Sequence, residues 1–201
     1  MQHYYAIFDF ECTCWEERRL DGSLVHSHEI IEFPVVFLNS ETLNVDFEFH
    51  AYVRPVENPV LTEFCTKLTG ITQTVVDEAD TLPSVIAQFD HFLSENSISK
   101  FTPCTDGPWD FTEFLVKEAN RKNINYPKWA TKWLDIRRRF EADFKLEKWV
   151  GILEMLKILN LEFSGSPHSG IDDARNIARI VATCHRKLPD KGRLRPNRFI
   201  R

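Results

Sequence analysis

The stretch YYAIFDFE, residues 4–11, combines the pattern of a buried strand with two acidic side chains at its end. Aromatic and aliphatic residues dominate from Tyr4 to Phe10, which is typical of a strand in a hydrophobic core. Side chains alternate along a strand, so Asp9 and Glu11 point to the same face. Neighbouring carboxylates repel each other unless a cation lies between them, and oxygen ligands favour Mg²⁺ or Mn²⁺ over Zn²⁺. The stretch therefore indicates a divalent-metal site. A strand end that emerges into solvent is the alternative.

The rest of the chain shows strand patterns followed by mixed strand and helix patterns. Strands are predicted at residues 28–38, 45–53, 100–104 and 133–136, and helices at 61–68, 73–78, 83–95, 110–123, 149–159 and 172–185. The first three strands follow one another and predict an antiparallel meander. Pro34 in the second strand predicts a bulge or an edge position. This order predicts an α/β fold, a mixed sheet with helices on its faces.

Composition and charge exclude a membrane protein and indicate an intracellular one. The 201 residues are 43% hydrophobic, enough for one domain with a sizeable core. No apolar run approaches the ~20 residues that cross a bilayer, and the first residues lack the pattern of a secretory signal. Five cysteines without a CxxC pair predict reduced thiols inside the cell, in the cytoplasm, the nucleus or both.

The charge is distributed unevenly along the chain. The net charge is −5, yet residues 185–201 contain seven basic residues and one acid. We expect one domain over residues 1–188 and a basic C-terminal tail over residues 189–201. Attraction to a phosphate chain and a solvated end are both open interpretations of the tail.

Trp109 and Asp110 stand at the start of a helical pattern in the middle of the chain. The Asp110 carboxylate suits a metal ligand, although a first-turn acid is also favourable at any helix N-terminus. Asp106, four residues earlier, is the competing candidate, and we favour Asp110. Trp109 is a candidate for stacking on a base, with core packing as the alternative.

The stretch SPHSGIDD, residues 166–173, joins a turn to a helix. Histidine is the side chain best suited to accept a proton at neutral pH, and a loop position lets His168 move against a substrate. Asp172 is the better candidate for capping the helix, which leaves Asp173 for a metal. A capping aspartate with an exposed histidine is the alternative interpretation. Together with the earlier acids, these groups are what a site needs to hold two divalent ions and activate a water against a phosphodiester.

In their order along the chain, these residues resemble the DEDDh branch of the DnaQ-like 3′-to-5′ exonucleases. The matching pattern is Asp9-x-Glu11, then Asp110, then His168-x4-Asp173. The segments FDFECTC, HEIIEFPVV, YVRP, FCTKLTGIT, TDGPWD, KWLDIR and PHSGIDDARNIARI resemble more narrowly the Eri-1-like exoribonucleases, which trim histone messenger RNA ends, small interfering RNAs and ribosomal RNA 3′ ends. This resemblance covers about residues 4–185. It implies an RNase H-like fold, with a mixed five-stranded sheet of three antiparallel and two parallel strands between helices.

The resemblance also implies a role for each matching residue. The metal ligands, for two Mg²⁺ with Mn²⁺ as a substitute, would be Asp9, Glu11, Asp110 and Asp173. The catalytic residues would be His168, as general base, and Glu11. The residues at the nucleotide would be Cys12, Trp109 and His168.

The implied reaction is hydrolysis of RNA from a free 3′ end, single-stranded or with a 3′ overhang, to nucleoside 5′-monophosphates. Two alternatives stay open: a DNA-directed 3′-to-5′ exonuclease, and an RNA-binding regulatory protein with a vestigial site. The chain departs from the family's pattern at residues 15–27, a loop longer than expected, where substrate access is in question. A SAP-type nucleic-acid module is also missing before the first strand.

Overall fold

A mixed β-sheet forms the centre of the molecule in the computed structural model, which describes residues 2–17 and 26–187. Its strands are β1 (Tyr4–Phe8), β2 (Glu11–Cys12), β3 (Ile30–Asn39), β4 (Val45–Tyr52), β5 (Phe101–Thr105) and β6 (Leu134–Asp135). Strand β3 pairs antiparallel with β1, β2 and β4, while β5 adds parallel to β1 and β6 parallel to β5. The predicted antiparallel meander and the mixed α/β sheet are confirmed.

The sheet has one strand more than the five predicted, because β2 is a short continuation of β1. Glu11 pairs with Glu32 in the same register that pairs Phe8 with Val35, so β2 continues β1 beyond an interruption at residues 9–10. Pro34 lies within β3, which has neighbours on both sides. The predicted edge position of this proline is therefore wrong. In the register of β3 it lies opposite the interruption of the first strand, where no regular ladder has to be continued.

Seven α-helices in the described part of the chain cover the sheet. They are α1 (Glu63–Thr69), α2 (Gln73–Asp77), α3 (Leu82–Glu95), α4 (Val116–Arg121), α5 (Ile136–Phe144), α6 (Ile152–Leu159) and α7 (Gly170–Lys187). A π-helical segment, Asp110–Leu115, leads directly into α4, and Lys128–Thr131 forms a 3₁₀ turn. Six of these helices lie where the periodicity predicts them. Helix α5 was not predicted, because three consecutive arginines, residues 137–139, follow its first residue.

Alternate side chains of β1 bury against different helices, which places helices on both faces of the sheet. Tyr5 and Ile7 belong to a core cluster with α5, α6 and α7. Tyr4, Ala6 and Phe8 belong to a second cluster with α3 and the π-helical segment. Because both faces are covered, β1 is buried along its whole length, as its nearly continuous apolar sequence requires.

Two sequence predictions concern segments outside the described residues. The basic tail, residues 189–201, lies entirely outside them, and so does most of the loop over residues 15–27. Within residues 2–17 and 26–187, no helix is long and apolar enough to cross a membrane.

Candidate active site

An acidic cavity opens where the first strand of the sheet is interrupted. Its volume is about 390 Å³. The acidic side chains and the histidine that line it come from β1–β2, the end of β5, the π-helical segment and the start of α7: Asp9, Glu11, Asp106, Asp110, His168 and Asp173. The structure thus brings together all of the acids and the histidine that the sequence predicted as metal ligands and catalytic residues.

The interruption of the first strand is fixed by contacts to its backbone. The N–H of Phe10 donates a hydrogen bond to Oδ1 of Asp110, at 2.7 Å, instead of to a neighbouring strand. On the other side, Gly170 approaches so closely that an added Cβ would lie 2.4 Å from the carbonyl oxygen of Asp9. Only glycine allows this approach. The backbone that carries Asp9 and Glu11 is therefore held between two elements from the second half of the chain.

The π-helical segment positions Asp110 and Trp109. Phe111 is fully buried and its ring packs edge-on against Phe8, with 5.2 Å between centroids. This contact anchors the segment in the core, while Asp110, 4% exposed, faces the cavity. Trp109 is 53% exposed and also lines the cavity, so the alternative interpretation, that it packs in the core, is wrong. Single π-helical turns of this kind occur frequently at functional sites.

The start of α7 carries Asp173 and is preceded by the loop that carries His168. The N–H of His168 donates to Oδ2 of Asp173 at 2.8 Å, and His168 has a left-handed backbone with φ of 64°. The imidazole is exposed at the cavity. One ligand atom each from Glu11, His168 and Asp173 lie within 4.8 Å of one another, close enough to share one ion or its water.

A glutamate on β3 caps α7 in place of the predicted residue. The Glu32 carboxylate accepts hydrogen bonds from the N–H groups of Gly170 and Ile171, at 2.9 and 3.1 Å, and contacts Nε2 of His50 at 2.8 Å. The prediction that Asp172 caps the helix is wrong, because its Oδ2 instead accepts from the N–H of Ser166, at 2.9 Å. The cap is a tertiary contact from a residue 138 positions earlier in the sequence.

Burial and mutual repulsion raise the pKa values of the acids. Burial, followed by the charges of Asp110 and Asp173, holds the pKa of Asp9 well above its usual range. Burial, followed by the charge of Glu32, does the same for the pKa of Glu11. Burial raises the pKa of Asp110 and that of Asp173 to about 7. The metal-free site thus holds protons that a divalent cation would displace.

An arginine neutralises the remaining acid of the cavity. Arg137 forms a two-point pair with Asp106, with Nε and Oδ1 3.0 Å apart and a second bond from Nη2 to Oδ2. Both residues are 8% exposed. The pair engages both oxygens of Asp106, which makes Asp110 the better candidate of the two for a metal ligand. The guanidinium of Arg137 also lies under the ring of Trp149, 4.0 Å from its centroid.

One predicted nucleotide contact lies away from the cavity, and three contributing residues were not predicted. The side chain of Cys12 is 7% exposed and packs in the core cluster beneath α3, outside the cavity lining. The unpredicted residues are Glu32, Arg137 and Trp149. Glu32 carries a sequence signal, a single acid within the apolar run IIEFPVV, residues 30–36. The pairing of Arg137 with Asp106 leaves no such signal.

The architecture and its acidic cavity define the class of RNase H-like exonucleases. The nuclease domain of 3′hExo, a DEDDh family member bound to rAMP, superposes with a TM-score of 0.87 at 39% identity, over 98% of this chain and 97% of that one. A second structure shows the specific recognition of the 3′ end of the histone mRNA stem-loop by a 3′-exonuclease. It superposes with a TM-score of 0.84 at 38% identity, over 92% of this chain and 82% of that one.

Sequence comparison identifies the family. The family model for Exonuclease (RNase_T) matches residues 6–181, so the chain belongs to this exonuclease family, whose members depend on divalent metal ions. It is 40% identical to 3′-5′ exoribonuclease 1 of Mus musculus, over 98% of this chain and 56% of that protein. The chain thus spans little more than half the length of the curated relatives it matches. The resemblance to DEDDh exonucleases is confirmed.

Proposed function

We propose that this protein is a metal-dependent 3′-to-5′ exoribonuclease that releases nucleoside 5′-monophosphates. The observation that carries the proposal is the convergence of four carboxylates and an exposed histidine in one cavity. RNA is the favoured substrate because the similar proteins are named exoribonucleases and because rAMP and a histone mRNA stem-loop occur in the similar structures. A role in RNA 3′-end trimming or small-RNA turnover follows from this substrate.

The metal ligands in this proposal are Asp9, Glu11, Asp110 and Asp173, holding two Mg²⁺, with Mn²⁺ as a substitute. The support is the donor set, since carboxylate oxygens suit these hard cations. When bound, two such ions lower the pKa of the attacking water and neutralise charge on the leaving oxygen. The protein's own contribution is to hold the carboxylates in place before the metal arrives, through the close approach of Gly170 to the Asp9 carbonyl and the hydrogen bonds of Glu32 to the start of α7.

His168 is the general base of the proposed reaction. Its imidazole is exposed at the cavity and reaches the same small volume as the carboxylates of Glu11 and Asp173. Because the hydrogen bond from its N–H to Asp173 fixes the loop, the ring can accept a proton from a water beside these acids. Trp109 lines the base pocket in this proposal. The contact of Cys12 to the terminal nucleotide stays a prediction.

The substrate in this proposal is RNA with a free 3′ end, single-stranded or with a 3′ overhang. We place the protein inside the cell, in the cytoplasm, the nucleus or both, and residues 1–188 as its exonuclease domain. The support for the location is that Cys12, Cys14, Cys65 and Cys104 are thiols, three of them buried.

The test is degradation of a 5′-labelled RNA with a 3′ overhang, in Mg²⁺ and then in EDTA. A stepwise ladder that disappears in EDTA supports the proposal. Asp9→Ala should remove most activity, and His168→Ala should lower turnover by about 10²- to 10⁴-fold while RNA binding persists. Glu113→Gln is the matched control, because Glu113 lies on the π-helical segment but pairs with Lys117 outside the cavity.

Three outcomes would contradict the proposal in different ways. If both site variants degrade RNA like the parent, the site assignment is wrong. Faster cleavage of a matched DNA strand would indicate a DNA-directed enzyme. RNA that is bound but stays intact in both Mg²⁺ and Mn²⁺ would indicate a regulatory protein with a vestigial site.

A further inference from the structure

The cavity that holds the carboxylates also exposes an unusual amount of apolar surface. Trp149 is 69% exposed, Leu153 59% and Trp109 53%, and all three line the cavity. They come from two separate parts of the chain, the loop and first turn of α6 and the residue before the π-helical segment. Contiguous exposed apolar side chains beside a polar site commonly mark a surface that binds a ligand.

One face of the Trp149 ring lies on a fixed group. The Arg137 guanidinium lies 4.0 Å from the centroid of this ring, and that guanidinium is itself fixed by its two-point pair with buried Asp106. The ring is therefore oriented by Arg137, while the residue stays 69% exposed. An aromatic ring that is already oriented loses little conformational entropy when a second flat group stacks on it.

We propose that Trp149 is a stacking platform for an unpaired base of the RNA strand, a second base besides the one at Trp109. This inference rests on the proposed exoribonuclease function. Both tryptophans line the cavity that contains the catalytic carboxylates, so a 3′ end that reaches Asp9 passes beside them. Stacking on aromatic side chains is the general way in which proteins hold single-stranded nucleic acid, because every base has a flat face.

The chemistry around Trp149 and Arg137 favours a base over a phosphate as the group that binds there. Two nitrogens of Arg137 are engaged by Asp106, which neutralises its charge, and the guanidinium is covered by the Trp149 ring. The surface offered beyond it is the aromatic face of Trp149 with the aliphatic side chain of Leu153. Such a surface is adapted to a flat, weakly polar ring rather than to an anion.

The experiment pairs Trp149→Ala with RNA strands that lack one base each. A 5′-labelled RNA is prepared with a single abasic site at each of the last few positions, and KM and kcat are measured for every strand. In the parent enzyme, removing the base that stacks on Trp149 should raise KM by roughly ten- to a hundredfold, the range for one base–aromatic contact. Trp149→Ala should raise KM similarly on intact RNA and should abolish the sensitivity to that one position.

Three further variants separate stacking from structural damage. Trp149→Tyr should restore most of the parent's KM because it keeps an aromatic face, whereas Trp149→Leu keeps apolar area and should not. Val60→Ala is the control, since Val60 is 75% exposed and lies outside the cavity lining, and it should leave KM unchanged. Melting curves establish that each variant is folded at the assay temperature.

The possible results distinguish this inference from the proposed function. If Trp149→Ala lowers kcat with KM unchanged, or stays sensitive to every abasic position, the platform is refuted while the exonuclease stands. If the parent cleaves no RNA, the proposed function fails. In that case, fluorescence anisotropy of the same labelled strands in Ca²⁺ still tests the stacking platform at Trp149. A parent that binds intact and abasic strands equally has no such platform.

Discussion

Replacement of Asp110 by asparagine should stabilise the metal-free protein at alkaline pH. Asp110 is 4% exposed, and its burial raises its pKa to about 7, opposed by the hydrogen bond from the N–H of Phe10. An unfolded aspartate loses its proton near pH ~3.9. Between these two pH values the folded state binds the proton more tightly, so stability falls as the pH rises. Above about pH 7 the full cost of the buried charge is present.

The size of the effect follows from the two pKa values. Their difference corresponds to roughly 4 kcal/mol above pH 8, and the cost disappears below pH ~4. Asparagine has the same shape and keeps an oxygen that accepts from the N–H of Phe10, but it carries no charge. Asp110→Asn should therefore be more stable than the parent by up to roughly 4 kcal/mol in EDTA at pH 8, with a smaller difference at pH 5.

The assay is urea unfolding at pH 5 and pH 8, each in EDTA and in excess Mn²⁺. Mn²⁺ should stabilise the parent strongly at pH 8, because an ion that binds only the folded state adds to its stability. It should stabilise the variant much less, since asparagine removes one of the proposed carboxylate ligands. Glu113→Gln, on the same segment, should change stability by less than about 1 kcal/mol under every condition, since its ion pair is at the surface. An Asp110→Asn protein that is no more stable than the parent in EDTA at pH 8 would refute the reasoning.

Two other changes test the contacts that hold the start of α7 at the site, and a third tests a buried ion-pair cluster elsewhere in the fold. Glu32→Gln loses one of the two oxygens that accept hydrogen bonds from the start of α7. In steady-state kinetics, kcat should therefore fall about tenfold or more and the Mg²⁺ concentration needed for activity should rise, while the KM for RNA is unchanged. Gly170→Ala places a Cβ 2.4 Å from the Asp9 carbonyl oxygen and should cost about 1–3 kcal/mol in urea unfolding, with loss of activity; unchanged stability would contradict the close approach. Lys122→Met leaves the buried carboxylates of Glu29 and Glu118 without the cation that pairs with both, and should lower the free energy of unfolding by roughly 3–5 kcal/mol at pH 7. The loss should be smaller at pH 4, and thermal or urea unfolding would measure both values.

The sequence predicts those parts of the fold that depend on local pattern. β1 and β3 are buried on both faces, and their nearly continuous apolar sequences identify them. Apolar stripes on one face identify four of the seven helices in the described residues, and two short ones, α1 and α2, were also predicted, α1 with its closing glycine, Gly70. Helix α5 was not predicted because a run of three arginines is typical of a solvated segment, whereas Arg137 is buried through its pair with Asp106. A charge that is neutralised by a residue 31 positions away leaves no trace in local periodicity.

The site was predictable in its chemistry and only partly in its construction. Five residues of the cavity could be predicted, because their types suit metal-dependent hydrolysis and their order along the chain resembles that of the DEDDh exonucleases. They are Asp9, Glu11, Asp110, His168 and Asp173. Glu32 could have been suspected from its place in an apolar strand, but its function as the cap of α7 depends on how the strand and the helix pack. The stacking of Trp149 on Arg137 likewise exists only in the folded protein.

The interruption of the first strand explains why the site lies where it does. A regular strand would direct the N–H of Phe10 to a neighbouring strand, but here that group donates to Asp110. The same gap admits Gly170 against the carbonyl of Asp9, and with it the start of α7 and Asp173. The strand break thus lets three distant elements bring their carboxylates together. Since the acids repel one another, the apolar core on both sides of β1 supplies the stability that keeps them assembled without a metal.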